Sequence, residues 1–140
     1  MISLKGMEIL FADDDKYNMR PVIDALEAHS ANVILVTNGT SVLRYMRDNL
    51  DSPPHIIILD IMMAGGKDIN TDDGGRSTGV EVYRILRRDM KLNIPIVIST
   101  VVSDPAILSV FHSDPRVSIV SKPYLLSELL DAISRIVSNR

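Results

Sequence analysis

A chain of 140 residues, 46% of them hydrophobic, has the length of one ordinary domain and enough apolar side chains to bury a core without cross-links. The absence of cysteine excludes disulfides, thiolate metal sites and cysteine nucleophiles. With 15 Lys and Arg against 18 Asp and Glu the net charge is -3 and no basic stripe appears, so no direct contact with nucleic acid is expected.

Residues 1–6 are too few and too polar for a secretory leader, and every apolar run is far shorter than a membrane span, so a cytoplasmic protein without membrane insertion is expected. The first run, Ile9-Leu10-Phe11-Ala12, reads as a strand, and Met19, Val22, Ile23 and Leu26 then trace one face of a helix. Val33-Ile34-Leu35-Val36 is a second strand, followed by a helical face of Val42, Leu43, Met46 and Leu50. The third, Ile56-Ile57-Ile58-Leu59, leads through a polar stretch to Val82, Ile85 and Leu86. Ile96-Val97-Ile98 is the fourth. After it Ser103 or Asp104 caps a short helix with Pro105 in its first turn and Ile107, Val110 and Phe111 facing inward. The fifth, Val117-Ser118-Ile119-Val120, precedes a helix with Leu129, Leu130, Ile133, Ile136 and Val137 on one side.

Most of these strands lack polar alternation, which suits a parallel sheet covered on both faces. Strand followed by helix, five times over, predicts an open doubly wound α/β domain. The segment from Ala64 to Thr78 breaks the rhythm: four glycines and several charges without period predict a long, mobile loop. Its Asp68-to-Gly74 stretch fails as a helix-loop-helix calcium site, because Gly79 stands where Glu is needed and no helix precedes it.

In open α/β sheets the ligand site lies beyond the carboxyl ends of the strands. The residues there are Asp13 and Asp14, Asp60, Ser99 and Thr100, and Ser121 and Lys122. Three carboxylates packed together need a cation among them, and an all-oxygen set selects a hard one such as Mg²⁺. A carboxylate nucleophile, a metal, an ammonium and a hydroxyl are the parts of a phosphoryl-transfer site. Asp13 and Asp14 taken alone would pass for a helix cap, Lys122 for a surface lysine and Thr100 for a strand-end hydroxyl. His29, His55 and His112 show no ligand or triad spacing and receive no functional role.

The acidic run Asp13-Asp14-Asp15 after the first strand, Leu59-Asp60-Ile61-Met62-Met63, the Ser99-Thr100 strand end and Ser121-Lys122-Pro123-Tyr124 resemble the receiver domains of two-component response regulators. The resemblance spans nearly the whole chain. It implies a single receiver domain over 1–140, with an inserted loop at about 64–78, and a five-stranded parallel sheet in flavodoxin-like order 2-1-3-4-5 with five helices. It also implies Asp60 as phosphoacceptor, with Thr100 and Lys122 reading the phosphoryl group and a cis bond before Pro123. Mg²⁺, with Mn²⁺ able to substitute, would be held by Asp14, by Asp13 through water, by Asp60 and by the Met62 backbone carbonyl. The implied partners are a histidine kinase or histidine phosphotransfer protein and, because no effector domain is evident in the sequence, a downstream protein target or a second copy. Such a domain catalyses only its own phosphorylation and dephosphorylation.

Three departures from the family pattern stand out. Ala64 replaces a usual Pro, Ile119 replaces an aromatic three residues before Lys122, and Val101 and Val102 follow Thr100 where a small residue is common. The loop is expected to overhang the site. A degenerate receiver acting as a phosphorylation-independent binding platform is one alternative. The other is a phosphatase of the haloacid dehalogenase type built on Asp13 and Asp15, which leaves Asp60 without a role.

Overall fold

The computed structural model describes residues 3–71 and 73–137. Five strands, β1 (Glu8–Ala12), β2 (Asn32–Val36), β3 (Ile56–Leu59), β4 (Ile96–Thr100) and β5 (Val117–Ser121), form one parallel sheet in the order β2-β1-β3-β4-β5. Between and after them run α1 (Lys16–Ala28), α2 (Gly39–Asp48), α3 (Thr78–Arg84), the four-residue α4 (Pro105–Leu108) and α5 (Leu126–Val137). α3 widens into a π-helical turn at Ile85–Asp89, and α4 tightens into a 3₁₀ turn at Ser109–Phe111. This is the doubly wound fold expected from the sequence.

The all-apolar strands have a simple explanation in the core. Successive side chains on a strand point to opposite faces, and here both faces are covered. Ile9, Phe11, Ile56, Ile58 and Val97 meet Met19, Ile23 and Leu26 of α1 and Leu129, Ile133 and Ile136 of α5. Leu10, Ala12, Ile57, Leu59, Ile96 and Ile98 meet Val42, Leu43 and Met46 of α2, Val82 of α3 and Phe111. Each Val, Ile, Leu or Phe removed from water in this way contributes about 1.5–3 kcal/mol to the hydrophobic driving force.

Local signals set most helix starts. Asn38 accepts from the Ser41 N–H at 2.8 Å at the head of α2, and Asp104, not Ser103, caps α4 by accepting from the Ala106 N–H at 2.9 Å. One expectation needs correction. Leu50 lies beyond the end of α2 and is exposed, because the chain turns at Asn49 before Leu50 reaches the core. Asp15 is the residue that caps α1, accepting from the Asn18 backbone N–H at 3.3 Å.

The segment expected to be a long, mobile loop is docked on α2. The Gly39 and Thr40 N–H groups donate to the Ala64 and Gly65 carbonyls at 2.9 and 2.8 Å, so the loop backbone occupies donors that a helix N-terminus leaves unsatisfied. Ile69 is 5% exposed and packs with the α2 and α3 core. Periodicity cannot reveal such docking, because it depends on backbone groups and one isolated apolar residue.

Candidate functional site

Asp13, Asp14, Asp60, Thr100 and Lys122 follow or end strands β1, β3, β4 and β5, so the sheet brings them to one edge. The Asp60 N–H donates to the Ala12 carbonyl at 3.0 Å and the Asp13 N–H to Val36 at 3.0 Å, which carries the strand pairing one residue past β3 and β1. One carboxylate oxygen each from Asp13, Asp14 and Asp60 lies within 4.8 Å of the others. Asp13 is 1% exposed and Asp60 4%, whereas Asp14 stands at the surface.

The Lys122 ammonium bridges two of the three, donating to Asp13 Oδ2 at 2.6 Å and to Asp60 Oδ2 at 3.0 Å. The second oxygens of Asp13 and Asp60 and one oxygen of Asp14 are also held. Asp13 Oδ1 accepts from the Asp15 N–H at 2.9 Å, Asp60 Oδ1 from the Met62 N–H at 3.1 Å, and Asp14 Oδ2 from the Ala64 N–H at 3.1 Å. A proline at position 64 would have no N–H to give, so the departure at Ala64 supplies a donor to the cluster.

Burial pushes the Asp60 carboxyl up to about 6, with the Asp13 charge adding to the rise and the Lys122 ammonium opposing it. Burial disfavours the charge on Lys122, but its hydrogen bonds and charge contacts with Asp13 and Asp60 outweigh that and its pKa is raised. One ammonium among three carboxylates leaves an excess of negative charge in a buried site, and every available donor atom is a hard oxygen. That arrangement fits a small divalent cation.

Thr100 is fully buried; its Oγ1 accepts from the Val102 N–H at 3.1 Å, which leaves its own proton free to donate. The Lys122 N–H donates to the Thr100 carbonyl at 2.9 Å, and the Lys122–Pro123 bond is cis, as expected. An open cleft of about 570 Å³ lies over Asp60, lined on its sides by Asp14, Met19, Met62, Val101, Lys122 and Tyr124 among others. Among the described residues, none of the inserted loop lines it. The loop flanks the cluster instead, walling a smaller cavity of about 300 Å³ on the Met62 and Ala64 side of Asp14. The reason is the docking on α2, which draws the loop sideways.

The family model described as the response regulator receiver domain matches residues 9–134. The chain belongs to this family. Solved structures show the same fold. The receiver domain of Francisella response regulator 1452 is 20% identical, with 96% of this chain and 98% of that one covered at a TM-score of 0.73. A CheY-like receiver domain protein from Methanospirillum hungatei JF-1 is 15% identical, with 96% and 92% covered at 0.75. The receiver domain of a signal transduction histidine kinase from Syntrophus aciditrophicus is 22% identical, with 96% and 92% covered at 0.72. No curated protein sequence matches the chain.

The receiver domain therefore serves two-component signalling, in a family whose members carry an acidic Mg²⁺-binding pocket and interact with histidine kinases and effectors. Among the described residues no helix is long and apolar enough to cross a membrane. The five side chains singled out for phosphoryl transfer, Asp13, Asp14, Asp60, Thr100 and Lys122, lie at this sheet edge. Asp15 does not join the cluster: it is exposed and its carboxylate is taken by the Asn18 backbone and side chain, the latter at 2.7 Å. An Asp13 and Asp15 pair of the dehalogenase kind is thus not assembled.

Sequence reasoning missed two contributors. Tyr124 reaches Ser99 across the β4 and β5 ends, the two hydroxyl oxygens 3.3 Å apart, and burial raises its phenol pKa. Thr40 anchors the loop, and no local pattern announces it. The substitution of Ala for Pro at position 64 was the one visible hint of the extra donor to Asp14.

Proposed function

We propose that this receiver domain accepts a phosphoryl group on Asp60 from a phosphohistidine of a histidine kinase or histidine phosphotransfer protein, in a Mg²⁺-dependent reaction, and later releases it to water. The observation that carries the reading is the Asp13, Asp14 and Asp60 cluster at the head of a parallel sheet, one oxygen of each within 4.8 Å of the others, with the Lys122 ammonium bridging Asp13 and Asp60.

Asp60 Oδ2 attacks phosphorus, the bond from phosphorus to the imidazole nitrogen breaks, and the imidazole leaves with the electron pair. Lys122, which neutralises that same oxygen beforehand, moves its charge to the arriving phosphoryl oxygens, and the Thr100 hydroxyl donates to one of them. Asp14, Asp60, the Met62 carbonyl and, through water, Asp13 would hold Mg²⁺, or Mn²⁺ in its place, and the cation would neutralise negative charge on the phosphoryl group. The Asp60 side chain becomes a dianionic acyl phosphate. Thr100 and the loop after it are drawn toward the new charge, which alters the surface from Val101 to Phe111 and along Tyr124 to Val137. That surface meets a downstream protein or a second copy, in the cytoplasm, without direct contact with nucleic acid.

Intact-mass analysis after incubation with acetyl phosphate tests the reading. The expected result is a phosphoryl adduct that requires Mg²⁺, vanishes with EDTA and is absent in Asp60→Asn. An unlabelled wild type, under conditions that label an ordinary receiver, would replace the reading with that of a phosphorylation-independent platform.

A further inference from the structure

Asp14 differs from its two partners. Asp13 and Asp60 are buried and locked by Lys122, while Asp14 is exposed, and among the described residues the Ala64 N–H is the donor that reaches its carboxylate. Ala64 is in turn held by α2: its carbonyl accepts from the Gly39 N–H at 2.9 Å. The next residue is gripped twice, the Gly65 carbonyl accepting from the Thr40 N–H at 2.8 Å and from Thr40 Oγ1 at 3.1 Å. Thr40 Oγ1 also accepts from the Asp68 N–H at 2.6 Å, closing the loop back on itself. Thr40 is 4% exposed, so its hydroxyl has no water to substitute for these partners.

We infer that Thr40 is a positioning residue for divalent-cation binding, acting through the docked 64–68 segment to hold the Ala64 N–H against Asp14. This role presupposes the cation site proposed above. The physical basis is orientation. A surface aspartate samples several rotamers, and a hydrogen bond to one oxygen leaves the second oxygen free and aimed. Carboxylates that ligate metals are held by such outer partners, and removing one typically weakens binding about tenfold or more. The inserted loop is thereby part of the acidic site, although it does not line the cleft.

Mg²⁺ titration by isothermal calorimetry on the full chain tests this, with wild type, Thr40→Val, Thr40→Ser and Ala64→Pro. Thr40→Val keeps the shape and removes both hydroxyl bonds; Ala64→Pro removes the donor to Asp14 directly. Both are expected to bind Mg²⁺ about tenfold more weakly, and Thr40→Ser to stay near wild type. Thermal midpoints without metal identify a variant that fails to fold, in which case Ala64→Pro and the serine variant are read. Equal affinity in wild type and the folded variants, or a serine variant as weak as the valine one, would overturn the role of Thr40 and leave the Asp60 phosphoacceptor standing. A wild type that binds no Mg²⁺ would overturn the cation site and this role together.

Discussion

The Lys122 ammonium lies 3.0 Å from Asp60 Oδ2, the oxygen that the Met62 N–H leaves unoccupied. The contact opposes a burial that otherwise favours the neutral acid, and the Asp60 carboxyl settles at about 6. Lys122→Met removes that opposition. Its Asp60 pKa is expected to move above the wild-type value, read by carbon NMR titration of the carboxyl group without metal, and a downward shift would contradict the assigned balance.

The same shift sets a dependence of stability on pH. An Asp pKa raised from 3.8 to about 6 means that, between these values, the folded protein holds a proton the unfolded chain has released. The contribution of the neutral acid is fully present below about 3.8 and is lost as the pH rises through about 6. Asp60→Asn is neutral throughout, so in the absence of metal it should exceed wild type in stability by roughly 1–3 kcal/mol at pH 7.5 and not at pH 3.5. Urea midpoints at the two pH values check this.

Mg²⁺ should reverse the penalty. A cation that binds only the folded cluster stabilises it in proportion to the logarithm of its concentration. Thermal midpoints of wild type are expected to climb with Mg²⁺ and to return on chelation, with the rise largely lost in Asp13→Asn. A rise of equal size in the variant would remove Asp13 from the cation site.

A second, structural ion pair ties the π-helical turn to the segment before β5. Asp114 accepts from Arg87 Nε at 2.9 Å and from the Tyr83 hydroxyl at 2.7 Å, and the Tyr83 ring packs edge-on against Phe111. Burial works against the Asp114 charge, but these hydrogen bonds prevail and its pKa is lowered. Its contribution is therefore present above the ordinary carboxylate range and lost as the pH falls below it. Asp114→Asn, which strands a mostly buried guanidinium, should cost about 2–3 kcal/mol at pH 7 and much less near pH 2.5, measured by urea unfolding.

Gly79 brings the start of α3 against the backbone of Asp60 and Ile61, just past β3. Its N–H donates to the Ile61 carbonyl at 2.9 Å, and an added Cβ would collide with the Asp60 carbonyl and come within 2.6 Å of Ile61 Cα. Both obstacles are backbone and cannot swing aside. Gly79→Ala is expected to lose roughly 2–4 kcal/mol of stability and to slow phosphorylation by moving Asp60, compared by unfolding midpoints and by the rate of adduct formation.

The local chemistry of this chain was legible because it depends on near neighbours in sequence. Apolar runs of four or five residues, rich in branched side chains, can be satisfied only by a sheet buried on both faces, so the fold class, the five strands and the helices between them followed from pattern alone. Asp13, Asp14, Asp60, Thr100 and Lys122 stood out because parallel strands deliver their carboxyl ends to one edge. Tertiary structure decided everything that depends on which groups then face each other. Asp15 and Asp13 are both acids beside a helix start, yet one caps α1 and the other grips Lys122, and only the strand pairing of Asp13 with Val36 separates them. The segment from 64 to 78 carries no periodicity because its anchors are backbone carbonyls, one buried Ile69 and the hydroxyl of Thr40, a residue 25 positions before its partner Gly65. Contacts made by the main chain leave no signature in side-chain patterning, and for that reason the docking of the loop beside Asp14 emerges only when the sheet and α2 are assembled.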